Sequence, residues 1–465
     1  MKKITTLALG LLLPCLCMAQ TVSIVGSRFV KPETTMGTTP ITVHYEGSTA
    51  SKDWVGIYKT DQVNITETDG VESVVLGGNG DKTSYRWFYT DAVASADVSD
   101  KWISNYVLGE GCYLVMFFPN DGYNITSHEY LIVTPYTDFT MSTDKKVYAV
   151  GDPVVVTWSG APANAKDWIG IYHKGHTPGG KDPGGKDQVS TSYLYVNDNG
   201  GATGSMTLNV LGTPNYNLHG NNPDEPGEYY VTYLLNDGWT ELFEHKFARV
   251  PYTIATTYKE TDTNNSFDTS LTTVGIRRTI NVGYNTVCLP FSLTAEQVAD
   301  AFGEGTEVYT FSENSDDANN ATINFSKNDG TISANVPVLV KATKASESQV
   351  FENVTVVDVT NAKVAGKNFD FVGTYAPMTV AEGDYFIGGG KLYKSKGNTN
   401  MNAFRAYIQA KTDAPVKLFI GDFETSINEL NATPDLSEAT FNVAGQRIAG
   451  MQKGINIVNG KKILK

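Results

Sequence analysis

Cysteine is scarce in this chain, with four in 465 residues, and two of those, Cys15 and Cys17, fall in an N-terminal apolar run. Once that run is removed as a leader, only Cys112 and Cys288 remain, in different domains. No disulfide framework can be built from them, so buried cores must hold the fold; zinc sites built on thiolates are excluded as well. Histidine is nearly as sparse, six in all, and shows no partnered spacing. Gly-x-Ser-x-Gly elbows, His-Glu-x-x-His helices and phosphate loops are missing. Acidic pairs such as Asp316-Asp317 sit in polar loops where nothing would raise a pKa by burial. The 36 Lys and Arg are outnumbered by 50 Asp and Glu, which excludes the basic face that nucleic acid requires. Beyond the N-terminal run, no stretch approaches the ~18 uninterrupted apolar residues of a membrane-spanning helix. No catalytic residue, metal or cofactor is expected.

What is abundant is glycine and tyrosine, 44 and 25 residues against only 18% charged residues. That balance suits a turn-rich all-β protein, and the length predicts about three domains. Residues 1–19 read as a secretory leader: Lys2 and Lys3, an apolar run from Leu7 to Leu16, and small residues before a cut after Ala19. The competing reading is a lipoprotein acylated at Cys15 or Cys17.

The first half is a tandem repeat. Asp53-Trp54-Val55-Gly56-Ile57-Tyr58 returns as Asp167-Trp168-Ile169-Gly170-Ile171-Tyr172. Thr83-Ser84-Tyr85 is answered by Thr191-Ser192-Tyr193, and the stretch from Gly111 to Tyr123 by that from Gly227 to Trp239. The offset is that of a small domain, so residues 20–136 and 137–253 are read as two β-sandwich repeats. Val43, Val55, Ile57, Tyr113, Val115 and Phe117 share one face of period-two strands. Asn120-Asp121-Gly122 and Asn236-Asp237-Gly238 read as hairpin turns. The second repeat adds the duplicated Pro178-Gly179-Gly180-Lys181-Asp182 and Pro183-Gly184-Gly185-Lys186-Asp187, which is expected to be an exposed, mobile loop without regular structure.

Several repeated residues are candidate site residues. Trp54 and Trp168 read as anchors buried in the sandwich cores, and Asp53 and Asp167 as caps for backbone groups at a loop-to-strand junction. Tyr123 and Trp239 directly follow a hairpin turn, where an aromatic ring faces solvent and can stack on a sugar or insert into a partner; these two are the ligand-binding candidates. The alternative for each is a ring folded back on its own hairpin. His173, His176 and His219 with Asp237 form a further metal candidate, without a motif.

These motifs resemble the Ig-like sandwich found beside bacterial metallophosphoesterase and phosphodiesterase domains, itself similar to SKICH-type sandwiches. The resemblance covers both repeats and implies an accessory role. The catalytic domain of that family, with its Asp/His/Asn metal motifs, has no counterpart here.

The polar stretch from Ala255 to Ser270 reads as a linker or long exposed loop. Residues 254–425 are otherwise expected to form a β-rich, jelly-roll-like domain with strands at 278–282, 286–291, 322–325, 336–341, 353–357, 384–387, 391–393, 403–408 and 416–420. One short helix opens at Thr294 in capping-box fashion with Gln297 and closes at Gly303. Gly388-Gly389-Gly390 joins two strands as a hairpin. The segments at Gly283–Phe291, Gly383–Ile387 and Phe404–Ile408 resemble a module repeated in many secreted Bacteroidetes proteins. The tail, 426–465, is similar to the end of type IX sorting domains, which implies secretion machinery as a partner; it is half the length of a full one, and a final hairpin capping a sheet edge is the other reading.

The chain is therefore expected to be all-β: tandem Ig-like β-sandwiches, a third β-rich domain and a sorting-like tail. Its expected role is a secreted or outer-membrane-associated, non-catalytic binding or adhesion protein presenting loops to a glycan or protein ligand. An accessory or targeting subunit of a separate phosphoesterase is the first alternative, and a hydrolase with an unrecognised carboxylate site is the second.

Overall fold

The computed structural model describes residues 19–68, 71–77, 83–210, 225–314, 321–359, 362–412, 416–421, 423–425 and 427–429, and tail strands at 440–442, 447–448, 455–458 and 461–464. The expected leader, save its last residue, lies outside these, as do Cys15, Cys17 and His219. Two compact units form: one from residues up to Lys145 with Pro153–Pro223 and Tyr229–Pro251, the other from Lys146–Asp152, Asp224–Glu228 and Tyr252 onward. No helix among the described residues is long and apolar enough to cross a membrane.

Repeat 1 contains β1 (Thr21–Ile24), β2 (Phe29–Val30), β3 (Val43–Glu46), β4 (Trp54–Lys59), β5 (Val63–Thr68), β6 (Val71–Leu76), β7 (Arg86–Tyr89), β8 (Ser95–Val98), β9 (Ile103–Ser104), β10 (Gly111–Phe118) and β11 (Ser127–Val133). One sheet runs β1-β3-β8 and the other β2-β11-β10-β4-β7-β9, with β5 and β6 as a separate hairpin. All six residues expected on one face, from Val43 to Phe117, meet in a single core fed by both sheets. That makes it a sandwich, each fully buried Val, Ile or Phe contributing roughly 1.5–3 kcal/mol.

Repeat 2 contains β12 (Thr140–Thr143), β13 (Val147–Ala149), β14 (Val154–Ser159), β15 (Trp168–His173), β16 (Ser192–Tyr195), β17 (Gly204–Leu208), β18 (Gly227–Leu234) and β19 (Val250–Ala255). The order β12-β14-β17 repeats β1-β3-β8, and β15 pairs with both β16 and β18 as β4 pairs with β7 and β10. The parallel edge pairing of β2 with β11 is answered by β13 with β19. The tandem Ig-like architecture is thus present at the level of strand order.

In the C-terminal half, Thr294 caps the helix α1 (Ala295–Phe302): its side chain accepts the Gln297 amide at 3.2 Å while Gln297 Oε1 accepts the Thr294 amide at 2.9 Å. Gly303 terminates it at φ 100°. Strands Tyr385–Gly388 and Lys391–Lys394 pair as a hairpin around Gly389 and Gly390, both at positive φ. Of the stretch expected to be a linker or long exposed loop, residues 260–270 do form a mostly exposed loop, but its start does not. Thr257–Lys259 is a strand paired with Thr273–Arg277, Tyr258 is buried in the core, and Phe267 packs edge-on against it at 4.7 Å. Two aromatic anchors outweigh a polar neighbourhood. Two expected strands are displaced as well. The strand near 278–282 lies at Thr273–Arg277, and that at 353–357 lies at Gln349–Glu352. In the tail, Thr440–Asn442, Arg447–Ile448, Ile455–Val458 and Lys461–Leu464 pair as a four-stranded antiparallel sheet.

Candidate functional site

The repeated hexapeptide is explained by the two faces of β4 and β15. Val55 and Ile57 point into the sandwich core, while Trp54, Gly56 and Tyr58 point outward. Gly56 is required because the neighbouring rings lie over it: a Cβ there would stand 2.7 Å from Trp54 Cζ3 and 3.0 Å from Tyr58 Cε2. Trp54 and Trp168 are buried, 7% and 5% exposed, as expected of anchors, but the clusters they anchor lie on the other face of the strand from Val55 and Ile57. They belong to aromatic clusters on the outer faces, Trp54 with Tyr58, Leu114, Met116 and Phe118, and Trp168 with Tyr172, Tyr230 and Leu234.

The aspartate before each tryptophan has the structural role expected of it. Asp53 Oδ2 accepts the amides of Thr49 (2.8 Å) and Ala50 (3.0 Å), and Oδ1 accepts that of Asn120 (2.9 Å). Asp167 does the same for Asn164 and Asn236, both at 2.9 Å. Each carboxylate therefore ties the loop entering the strand to the turn of the next hairpin, whose residues Asn120, Asp121, Asn236 and Asp237 all take positive φ. That places the second aspartate and the following aromatic ring over the outer tryptophan.

The outcome is one constellation built twice. In repeat 1 the Trp54 indole donates from Nε1 to Gly122 O at 3.0 Å, and Tyr123 meets it edge-on at 5.9 Å and 87°. Asp121 accepts the Tyr89 hydroxyl at 2.5 Å and Lys52 Nζ at 3.0 Å. Those two hydrogen bonds, Tyr89 first, hold the Asp121 carboxyl below its ordinary range. In repeat 2, Trp168 donates to Gly238 O at 3.2 Å, Trp239 meets it at 5.8 Å and 78°, and Asp237 accepts Tyr195 at 2.7 Å with Lys166 at 3.9 Å. The hydrogen bond to Asp237 leads the causes that push Tyr195 up to about 12.

Around this constellation repeat 1 opens a groove of about 410 Å³, lined by Trp54, Tyr58, Trp87, Tyr89 and Tyr123 with Thr83, Ser84, Asn105 and Asp121. Tyr123 is 48% exposed there. Trp239 is 52% exposed, but part of its ring is in use: a Cβ at Gly179, φ +71°, would lie 2.8 Å from Trp239 Cγ, so the glycine-rich loop rests its backbone on the indole. That loop has more order than its composition suggested. Gly180 N donates to Thr177 O at 2.8 Å, and a bridge joins Lys181 to Asp187. Trp87, Tyr89 and Asn105 of the groove escaped the sequence reading; the alternation Arg86-Trp87-Phe88-Tyr89 was the signal for outward rings. The histidine candidate does not assemble. His173 and His176 lie 5.4 Å apart at one end of β15, while Asp237 sits at the other, beside Lys166.

No family model matches the chain, and no curated protein does. Solved structures overlap it at low identity. They include the FdeC adhesin of Escherichia coli (10% identity, 74% of this chain and 98% of that one, TM-score 0.17), a Salmonella alpha-2-macroglobulin (11%, 90% and 29%, TM-score 0.18) and a purple acid phosphatase from yellow lupin (10%, 58% and 43%, TM-score 0.17). Overlap at these scores assigns no chemistry to the groove.

Proposed function

We propose that this is a non-catalytic binding protein of the cell surface or extracellular space, and that the groove of repeat 1 takes a glycan. The observation that carries the reading is the combination in one open groove of aromatic rings with an ionised carboxylate, a hydroxyl and an amide. Rings match the apolar faces of pyranoses, and the polar groups match their hydroxyls. Asp121 is the one carboxylate among the described residues lining the groove, whereas glycoside hydrolysis takes a pair. A glycan array and surface-polysaccharide screen with the mature chain tests this: Tyr123→Ala should weaken binding by about 1–2 kcal/mol with the fold intact. A folded wild-type chain that binds no glycan on either panel would end the proposal.

A protein ligand is the second reading, favoured by Val71 and Val75, 70% and 58% exposed on the β5–β6 hairpin of the same repeat. The accessory role toward a phosphoesterase and the sorting role of the tail are proposals on the resemblances alone, and the leader is one on the residue pattern of 1–19; tracking the export of a chain truncated at residue 425 tests the sorting role.

A further inference from the structure

Repeat 1 and the segment that follows the last turn of repeat 2 meet along an apolar seam, where Cys112, Ile132, Phe243 and Ala248 are buried and Phe29 packs on Phe243 at 5.0 Å. At the edge of this seam three metal-ligating side chains of different kinds converge. Cys112 comes from β10, and Glu244 and His245 from the turn after Phe243, their ligand atoms all within 4.8 Å of one another. Neighbouring charges are accounted for: Glu241 is held by Arg249 at 2.8 and 2.9 Å, and Lys246 by Glu67 at 3.2 Å. Glu244 and His245 are not. Among the described residues Glu244 has no ion pair and the His245 ring nitrogens no hydrogen bond. The Cys112 thiol is 1% exposed, so it faces the cluster from the buried side while Glu244 and His245 stand at the solvent side. His245 and Lys246 both sit at positive φ, 53° and 69°, and the imidazole lies over Tyr130, ring to ring at 5.0 Å.

We propose that Cys112, Glu244 and His245 form a site for a borderline-soft divalent cation of the zinc type, which clasps repeat 1 to the end of repeat 2. The donor set decides the class: calcium and magnesium take oxygen ligands, whereas thiolate, imidazole and carboxylate together suit zinc or cobalt in a four-coordinate site. Three protein ligands leave the fourth position to a water, and the exposed side of the cluster supplies one. Tetrahedral zinc with bonds of ~2.0–2.3 Å spaces its ligand atoms by roughly 3.3–3.8 Å, so these atoms, within 4.8 Å of one another, draw closer together when the metal binds. On binding, the thiol proton leaves to solvent as the metal–sulfur bond forms. The exclusion of thiolate zinc sites from the scarcity of cysteine gives way here: one thiolate is completed by a carboxylate and an imidazole about 130 positions away.

The test is a cobalt titration of the tag-free, chelator-treated mature chain from Gln20, which lacks Cys15 and Cys17. One equivalent of Co²⁺ should produce sulfur-to-cobalt charge-transfer absorption, and Zn²⁺ should displace it. Cys112→Ser should abolish the band, Cys288→Ser should leave it, and His245→Ala, on the exposed side where folding is not at stake, should weaken binding by at least ~10-fold. A folded wild-type chain without the band would overturn the proposal, and so would a band that survives Cys112→Ser or is unaffected by His245→Ala. Glycan binding at the groove plays no part in any of these readouts.

Discussion

Repeat 1 and repeat 2 share a strand order and an outer-face constellation, yet the connection leaving their common hexapeptide strand is filled in two ways. In repeat 1 it becomes the β5–β6 hairpin, whose Val63 and Leu76 extend the aromatic cluster of Trp54 and Tyr58 and leave Tyr123 at the rim of an open groove. In repeat 2 it becomes the glycine-rich loop that rests on Trp239. The lesson is that strands and their caps set the geometry of a site, while the connecting loop sets access to it.

The interiors differ too, and the largest expected effect lies there. Repeat 1 buries a Glu33–Arg86 ion pair, with Glu33 also accepting the amides of Thr39 at 2.8 Å and Leu108 at 2.9 Å. In repeat 2 the residue opposite Ile171 is Ser192, where repeat 1 has Arg86 opposite Ile57. Glu33→Ala should destabilise repeat 1 by about 3–5 kcal/mol by leaving a buried guanidinium uncompensated, seen in calorimetry as a shift of one transition only. A shift below ~1 kcal/mol would mean the pair is dispensable.

The aspartate caps should behave alike: Asp53→Ala and Asp167→Ala are each expected to cost about 2–4 kcal/mol, because several amides lose their acceptor at once. Asp53 adds a pH signature. Burial alone would raise its pKa, but the amides of Asn120, Thr49 and Ala50 and the Ser48 hydroxyl more than offset that and hold it below the ordinary range. A depressed folded pKa gives stabilisation that is complete above the unfolded value near ~4 and drains away as pH falls through the folded one. Acid titration of Asp53→Asn should therefore show a flatter stability profile than wild type; superimposable profiles would count against the cap.

Gly56→Ala and Gly170→Ala come next, at about 1–3 kcal/mol each, since either Cβ would meet a tryptophan ring at 2.7 Å. Unequal costs would show that one outer cluster yields more readily. The smallest effect should follow deletion of 178–187, within about 1 kcal/mol of wild-type stability, with Trp239 fluorescence becoming more open to iodide quenching. Unchanged quenching would show that the loop does not shield the indole.

Much of this was legible in the chain. The inward set from Val43 to Phe117, the capped helix at Thr294 and the Gly389-Gly390 hairpin are local patterns with local causes, and the structure contains each of them. The failures share a cause. Period two says that a strand has two faces but not which is the core when both are apolar, and β4 is buried on both; hence the misplacement of Trp54 and Trp168. Composition read Ala255–Ser270 as polar and missed that Tyr258 and Phe267 suffice to pin it.

The sequence by itself determined that one β-sandwich pattern is repeated along the first half of the chain, where its Asn-Asp-Gly turns fall, and which aspartates cap its strands. Such features depend on backbone preferences and on neighbours a few residues away. Only the tertiary structure decided that Trp87, Tyr89, Asp121 and Tyr123 line one groove and that Cys112 meets Glu244 and His245. Each of those meetings joins residues tens to more than a hundred positions apart, and strand register and domain packing, which no local pattern encodes, bring them together.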